Sequence, residues 1–167
     1  MSSVSSLHLP DYYCYRLATM AAEYCHLIDG FAGFEKDRSW LPKMSRLLPR
    51  LHVAVIGLSP ANAQCRHYCF PDDDKRCELY MHLHYVMDKD EGLSSSETVA
   101  GCGRLCDNLA DDLTDMYFDL KDGLELYEDD PQQAARVWLN SFYQHWGIHL
   151  LDAENWLHVV EAEAQPA

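Results

Sequence analysis

The residues best placed to do chemistry lie in two segments. One is Asp111-Asp112-Leu113-Thr114-Asp115-Met116-Tyr117-Phe118-Asp119, and the other is His145-Trp146-Gly147-Ile148-His149-Leu150-Leu151-Asp152. In both, ionisable side chains recur at the spacing of helix turns beside an apolar stripe. Aspartates and histidines set out this way do one of two things. They satisfy one another as an internal polar network in a packed bundle, or they converge on a metal ion. An imidazole buried without a partner costs about 1–3 kcal/mol, and a carboxylate from a neighbouring helix removes that cost. It also raises the imidazole's pKa. The metal reading needs three or four donor atoms within about 2.0–2.2 Å of one point. His145 and His149 are one turn apart and can share an ion. Asp115 with Asp111 or Asp112 would complete a site suited to Zn, Fe or Mn. The metal ligands nominated are Asp112, Asp115, His145 and His149. They lie in a wider cluster of Asp111, Asp112, Asp115, Asp119, His145, His149 and Asp152.

These segments must be held by two long helices. The first is expected over about Cys102 to Glu128, with Leu105, Leu109, Leu113, Met116, Leu120, Leu124 and Tyr127 on its apolar face. Asp112, Asp115, Asp119 and Asp122 run along one flank. The second is expected from Pro131, well suited to a first turn, to about Val160. Its apolar face is Ala135, Trp138, Phe142, Trp146, Ala153, Trp156, Leu157 and Val160; His149 falls inside it, with His145 and Asp152 on its border. The connection at Asp129 to Pro131 is so short that the two helices must be antiparallel neighbours. Equal heights then put His145 level with Asp115, and His149 level with Asp111 or Asp112.

Upstream, a helix is expected from an Asp11 N-cap to near Ile28, ended by Gly30 and Gly33. Another follows a Ser39 cap, with Pro49 predicted to kink it or split it in two. Residues 60–72 read as loop, and Asp72 to Asp74 open a third helix carrying Leu79, Leu83 and Val86. The acidic, serine-containing stretch from Asp88 to Thr98 reads as an exposed loop. There is no internal repeat. The expected fold is all-α: one domain over residues 1–167, an antiparallel bundle of about five helices with residues 1–10 and 161–167 flexible.

Composition narrows the function classes. The chain has 167 residues, 48% hydrophobic and 24% charged, which suits a globular protein. Its formal charge is −14, concentrated between Asp88 and Asp130, where only Lys89, Arg104 and Lys121 offset the acids. Nucleic acid and anionic membrane are therefore disfavoured as partners. No run is apolar enough to span a bilayer, and Met1 to Pro10 lacks the features of a signal peptide. The seven cysteines sit on helical patterns, so a reduced, cytoplasmic setting is expected, with Cys14, Cys25, Cys102 and Cys106 as small buried hydrophobes. Lys43, Arg46 and Arg50 form a stripe expected to be solvated or to pair with the acidic helix. Cys65, Cys69, Cys77, His82 and His84 make a loose zinc-like set without ribbon spacing. No nucleophile elbow or phosphate loop is present.

A ferritin-like di-iron centre would need two Glu-x-x-His motifs, and the chain offers Glu23-Tyr24-Cys25-His26. Asp111-Asp112-x-x-Asp115 is similar to the Mg-binding aspartates of helical prenyl synthases, but those are far longer and carry a second acidic motif. Helical nucleotide pyrophosphohydrolases spread acidic pairs over separate helices, whereas these acids crowd one.

Three stretches carry a family resemblance. They are Leu48-Pro49-Arg50-Leu51 with the apolar run to Leu58, Asp111-Asp112-Leu113-x-Asp115-Met116-Tyr117-x-Asp119-Leu120-Lys121-x-Gly123-Leu124, and Phe142-x-x-His145-Trp146-Gly147-x-His149-Leu150-x-Asp152-Ala153. In these the chain resembles a family of bacterial helical proteins known only as a domain of unknown function. The resemblance implies an all-helical fold and no assigned activity. The expectation for function is a partner-binding or accessory protein with an internal Asp–His cluster, whose interface could include Tyr12, Tyr13 and Tyr15. The alternative is a metal-binding protein or metal-dependent, hydrolase-type enzyme using the same cluster. The sequence sets neither an oligomeric state nor a substrate.

Overall fold

Two aspartates start helices where the sequence predicts. Asp72 accepts a hydrogen bond from the Asp74 amide, and Asp130 accepts one from the Gln133 amide with Pro131 in the first turn behind it. The computed structural model describes residues 9–31, 39–58, 72–90, 93 and 105–163. Its helices are α1 (Leu9–Asp29), α2 (Trp40–Ile56), α3 (Asp73–Asp88), α4 (Leu105–Tyr127), α5 (Pro131–Ser141) and α6 (Gly147–Glu163). Among the described residues there is no strand, and the bundle is all-α as expected. The ends predicted to be flexible fall mostly outside the described residues, although Leu9, Pro10 and residues 161–163 are helical.

The acidic helix α4 is the axis of the bundle. It packs against α1, α3, α5 and α6, while α2 lies behind, against α1 and α6. Enclosure from several sides buries far more of α4 than one apolar face. Leu105, Leu109, Leu113, Met116 and Leu120 are in the core, and so are Ala110, Thr114 and Gly123. Tyr24 of α1 donates to the Leu113 carbonyl at 2.7 Å across this interior. Trp40, Trp138 and Trp146 are fully buried in the same core. Gly123 is needed there, because a Cβ would meet the Trp138 indole at 2.0 Å.

Several expectations are corrected. Helix α1 begins at Leu9, before Asp11. Pro49 neither ends nor splits α2. Leu47, Leu48 and Leu51 around it are buried, and their packing carries the helix through the loss of one backbone hydrogen bond. Leu93, within the stretch predicted to be an exposed loop, is fully buried. Residues 91–92 and 94–100 lie outside the described residues, as do Cys65, His67, Cys69 and Cys102. Arg50, about half exposed, pairs with Glu23 of α1 at 3.5 Å, which fits the solvated alternative for its stripe.

The most consequential correction is in the last predicted helix. It is not continuous: α5 and α6 are joined by a π-helical turn at Phe142–Trp146. The Gly147 amide bonds back to the Phe142 carbonyl, five residues earlier. The Trp146 indole donates to the Trp138 carbonyl at 3.2 Å and to Ser141 Oγ at 3.0 Å, satisfying groups where the ladder widens. Such single turns insert one extra residue and are frequent at functional sites. Gly147 permits it, because a Cβ there would stand 2.4 Å from the Phe142 carbonyl oxygen. Gly147→Ala should therefore destabilise the fold by at least about 1 kcal/mol, although alanine is the better helix former. Urea denaturation checks this; an unchanged midpoint would show that the turn does not depend on glycine.

Candidate metal centre

Asp112, Asp115 and Asp119 are 6%, 6% and 4% exposed, so three of the four aspartates on the flank predicted from the helical wheel face the interior. Charges buried to that degree need partners. Two come from the π turn and the start of α6. His145 Nδ1 lies 2.6 Å from Asp119 Oδ2, and His149 Nδ1 lies 2.9 Å from Asp112 Oδ1. The other oxygen of Asp112 accepts from the Trp156 indole at 3.0 Å. On its far side, His149 Nε2 stands 3.4 Å from Asp115 Oδ2. The two imidazoles meet edge to face with centroids 5.0 Å apart. One donor atom each from Asp115, His145 and His149 lies within 4.8 Å of the others.

The sequence pairing held for His149 with Asp112 and shifted for His145. His145, which lies within the π turn, bonds Asp119, one turn away from the Asp115 it was expected to face. Asp111 sits at the edge of the cluster, partly exposed. Asp152 is exposed and reaches the cluster only through its field, which works against ionisation of Asp112. Asp122 is likewise exposed. Glu23 and His26 of the Glu-x-x-His motif are exposed on α1, outside the cluster.

One member was missed. Arg76 of α3 grips Asp115 with Nε to Oδ1 at 2.5 Å and an Nη to Oδ2 at 2.9 Å, and the same Nη reaches Asp111 at 2.7 Å. This fork is the strong form of a charge-assisted contact, and the hydrogen bond to Asp115 pushes Arg76 further above its already high pKa. A signal for it exists in the sequence. Arg76, Leu79, Leu83 and Val86 share one helical stripe, so a cation was placed on the inward face of α3.

The electrostatics favour cations throughout. His149 is raised above the usual imidazole value because it donates to Asp112, with Asp115 and Asp111 adding to the pull against burial. Asp112 is raised as well, because burial outweighs its bonds to His149 and Trp156. For His149 the protonated form is the one favoured in the fold. That stabilisation is complete below about pH 6.5, its unfolded value, and is lost as pH rises through the higher folded value. Asp112 contributes with the same sign in the acid range, favouring the fold below the ordinary carboxylate value and losing that as pH rises. The groups acting on His149 are Asp111, Asp112 and Asp115 of α4, with the His145 ring of the π turn against it. Metal-free protein should melt at falling temperature as pH rises from about 6.5, and His149→Gln should flatten that slope. A slope surviving in His149→Gln would assign it to another group.

Fold and site together define a helical bundle whose central acidic helix is faced by two carboxylate-anchored histidines and an arginine. The chain belongs to the DUF5063 family, a domain of unknown function, whose family model matches residues 10–163. It is also similar to the crystal structure of protein BF1032 from Bacteroides fragilis, with a TM-score of 0.72 at 16% identity, covering 94% of this chain and 96% of that one. At that identity the likeness carries the fold alone. None of the curated proteins matches. No helix among the described residues is long and apolar enough to cross a membrane.

Proposed function

We propose that this protein binds a divalent metal ion through Asp115, His145 and His149. Asp112 and Asp119 hold the two imidazoles, and Zn, Fe or Mn fits the donor set. The observation that carries the reading is the state of the rings. Each Nδ1 is tied to a buried carboxylate, the arrangement that orients metal-ligating histidines and raises their basicity. That makes Nε2 the ligand nitrogen of both. The 3.4 Å between His149 Nε2 and Asp115 Oδ2 supports it, because ligands about 2.0–2.2 Å from a tetrahedral ion sit about 3.3–3.6 Å apart. Charge supports it too, since Asp111, Asp112, Asp115 and Asp119 outnumber the arginine set against them. A site with three protein ligands keeps a position for water or substrate, and a metal there would supply an activated water or a polarised oxygen.

The test is metal content and melting of protein purified without a metal-affinity tag. The expected result is close to one ion per chain and a lower melting temperature after chelation, since a ligand of the native state stabilises it by linkage. Less than about 0.1 ion per chain with unchanged melting would reject a tight site. The second reading, an accessory protein with a purely internal polar network, draws support from Tyr12 and Tyr15, which are 42% and 60% exposed on α1. Under it, a pull-down returns a partner that Tyr15→Ala weakens, and chelation changes nothing.

A further inference from the structure

We propose a second metal site at the seam of α3 and α4, built from His84, Cys106 and Asp107 and selective for a softer ion than the first. His84 Nε2 lies 2.7 Å from Asp107 Oδ1, and Cys106 Sγ lies 3.8 Å from the same oxygen. One donor atom of each residue falls within 4.8 Å of the others. An ion pair between His84 and Asp107 would account for two of these residues. Cys106, the residue beside Asp107, adds a sulfur donor at the same point.

The donor chemistry sets the ligand class. A nitrogen, a sulfur and an oxygen suit Zn or a comparable thiophilic dication and not Mg or Ca, which take oxygen alone. With the thiol ionised, the set carries one thiolate, one carboxylate and a neutral imidazole, which together neutralise a dication; binding releases the thiol proton. Both anionic ligands stand in the first turn of α4, where the helix dipole favours negative charge. Cys106 is fully buried while His84 and Asp107 are partly exposed, so the site has a closed floor and a route of entry from solvent.

Position gives the site a role. Helix α3 buries Leu83, Val86 and Met87, and most of its first half is exposed. Its polar attachments to α4 include the Arg76 fork and the His84–Asp107 contact. An ion at the second contact would fasten α3 to α4 about 12 Å along the helix from Asp115, eight residues at 1.5 Å each. It is therefore a separate centre from the one proposed above, and either can exist without the other.

Cobalt(II) titration of chelator-treated, reduced protein reads the two sites apart, because only a thiolate ligand gives an intense near-ultraviolet charge-transfer band. The expected result is such a band in wild type and in His149→Ala, and its loss in Cys106→Ala. His84→Ala should weaken cobalt binding at that band by at least about tenfold, and it changes a partly exposed residue, so it decides the matter if Cys106→Ala does not fold. Absence of the band in wild type overturns the proposal. So does a band that persists in folded Cys106→Ala, or one whose affinity His84→Ala leaves unchanged.

Discussion

In Arg76→Gln protein the metal-free fold should be markedly less stable, while affinity for zinc or manganese should rise. Arg76 is the cation that Asp115 holds through both carboxylate oxygens. Removing one member of a buried pair costs about 3–5 kcal/mol, and the partial exposure of Arg76 reduces this to roughly 2–3 kcal/mol. The same change removes a positive charge that a dication at the site must otherwise tolerate. At an effective dielectric of about 20, a neighbouring unit charge a few ångströms away is worth more than about 1.4 kcal/mol, so affinity should rise at least about tenfold. Chemical denaturation in chelator and a calorimetric metal titration measure the two halves. Few substitutions at a structural ion pair strengthen binding of anything. Reduced metal affinity in a folded Arg76→Gln would mean that Arg76 serves the site by positioning Asp115.

The second large effect concerns His149. His149→Leu keeps an apolar volume but strands the buried Asp112 carboxylate, a loss of about 1–3 kcal/mol or more for a charged acceptor. Adding Asp112→Asn removes the stranded charge and should recover part of that loss in chelator. Neither protein should gain stability from metal, since one of the three ligands is gone. Thermal melts of wild type, both single variants and the double variant, each with and without chelator, separate the terms. A polar network alone would give recovery in the double variant and no response to chelator in any of the four. If His149→Leu melted like wild type under both conditions, His149 would be neither a buried partner nor a ligand.

Much of this site can be read from residue spacing. The Asp129 to Pro131 connection makes the two segments antiparallel and sets their heights, which put His149 level with Asp111 or Asp112. The rotation that turns the flanks toward each other is not set by spacing. In the fold His149 meets Asp112, one of those two. Spacing also could not supply the widened turn. A wheel at constant pitch treats 131–160 as one helix, and only Gly147 beside Trp146 signals the widened turn on which His145 sits. Pro49 shows the reverse case, a local breaker overridden by the packing of Leu47, Leu48 and Leu51. Arg76 is masked in the sequence by Asp72, Asp73 and Asp74, which read as a helix start just before the stripe that it opens. How many neighbours surround α4 is a property of the assembled bundle. That number, more than any motif, turned a flanking row of aspartates into a buried one.

The most direct measurement is anomalous scattering from crystals of the protein grown with zinc or manganese. The account predicts one ion about 2.0–2.2 Å from Nε2 of His145, Nε2 of His149 and an Asp115 oxygen, with Nδ1 of each ring still on Asp119 and Asp112. An empty cluster in saturated crystals, with Arg76 still clasping Asp115 and the imidazoles bonded only to aspartates, would contradict it.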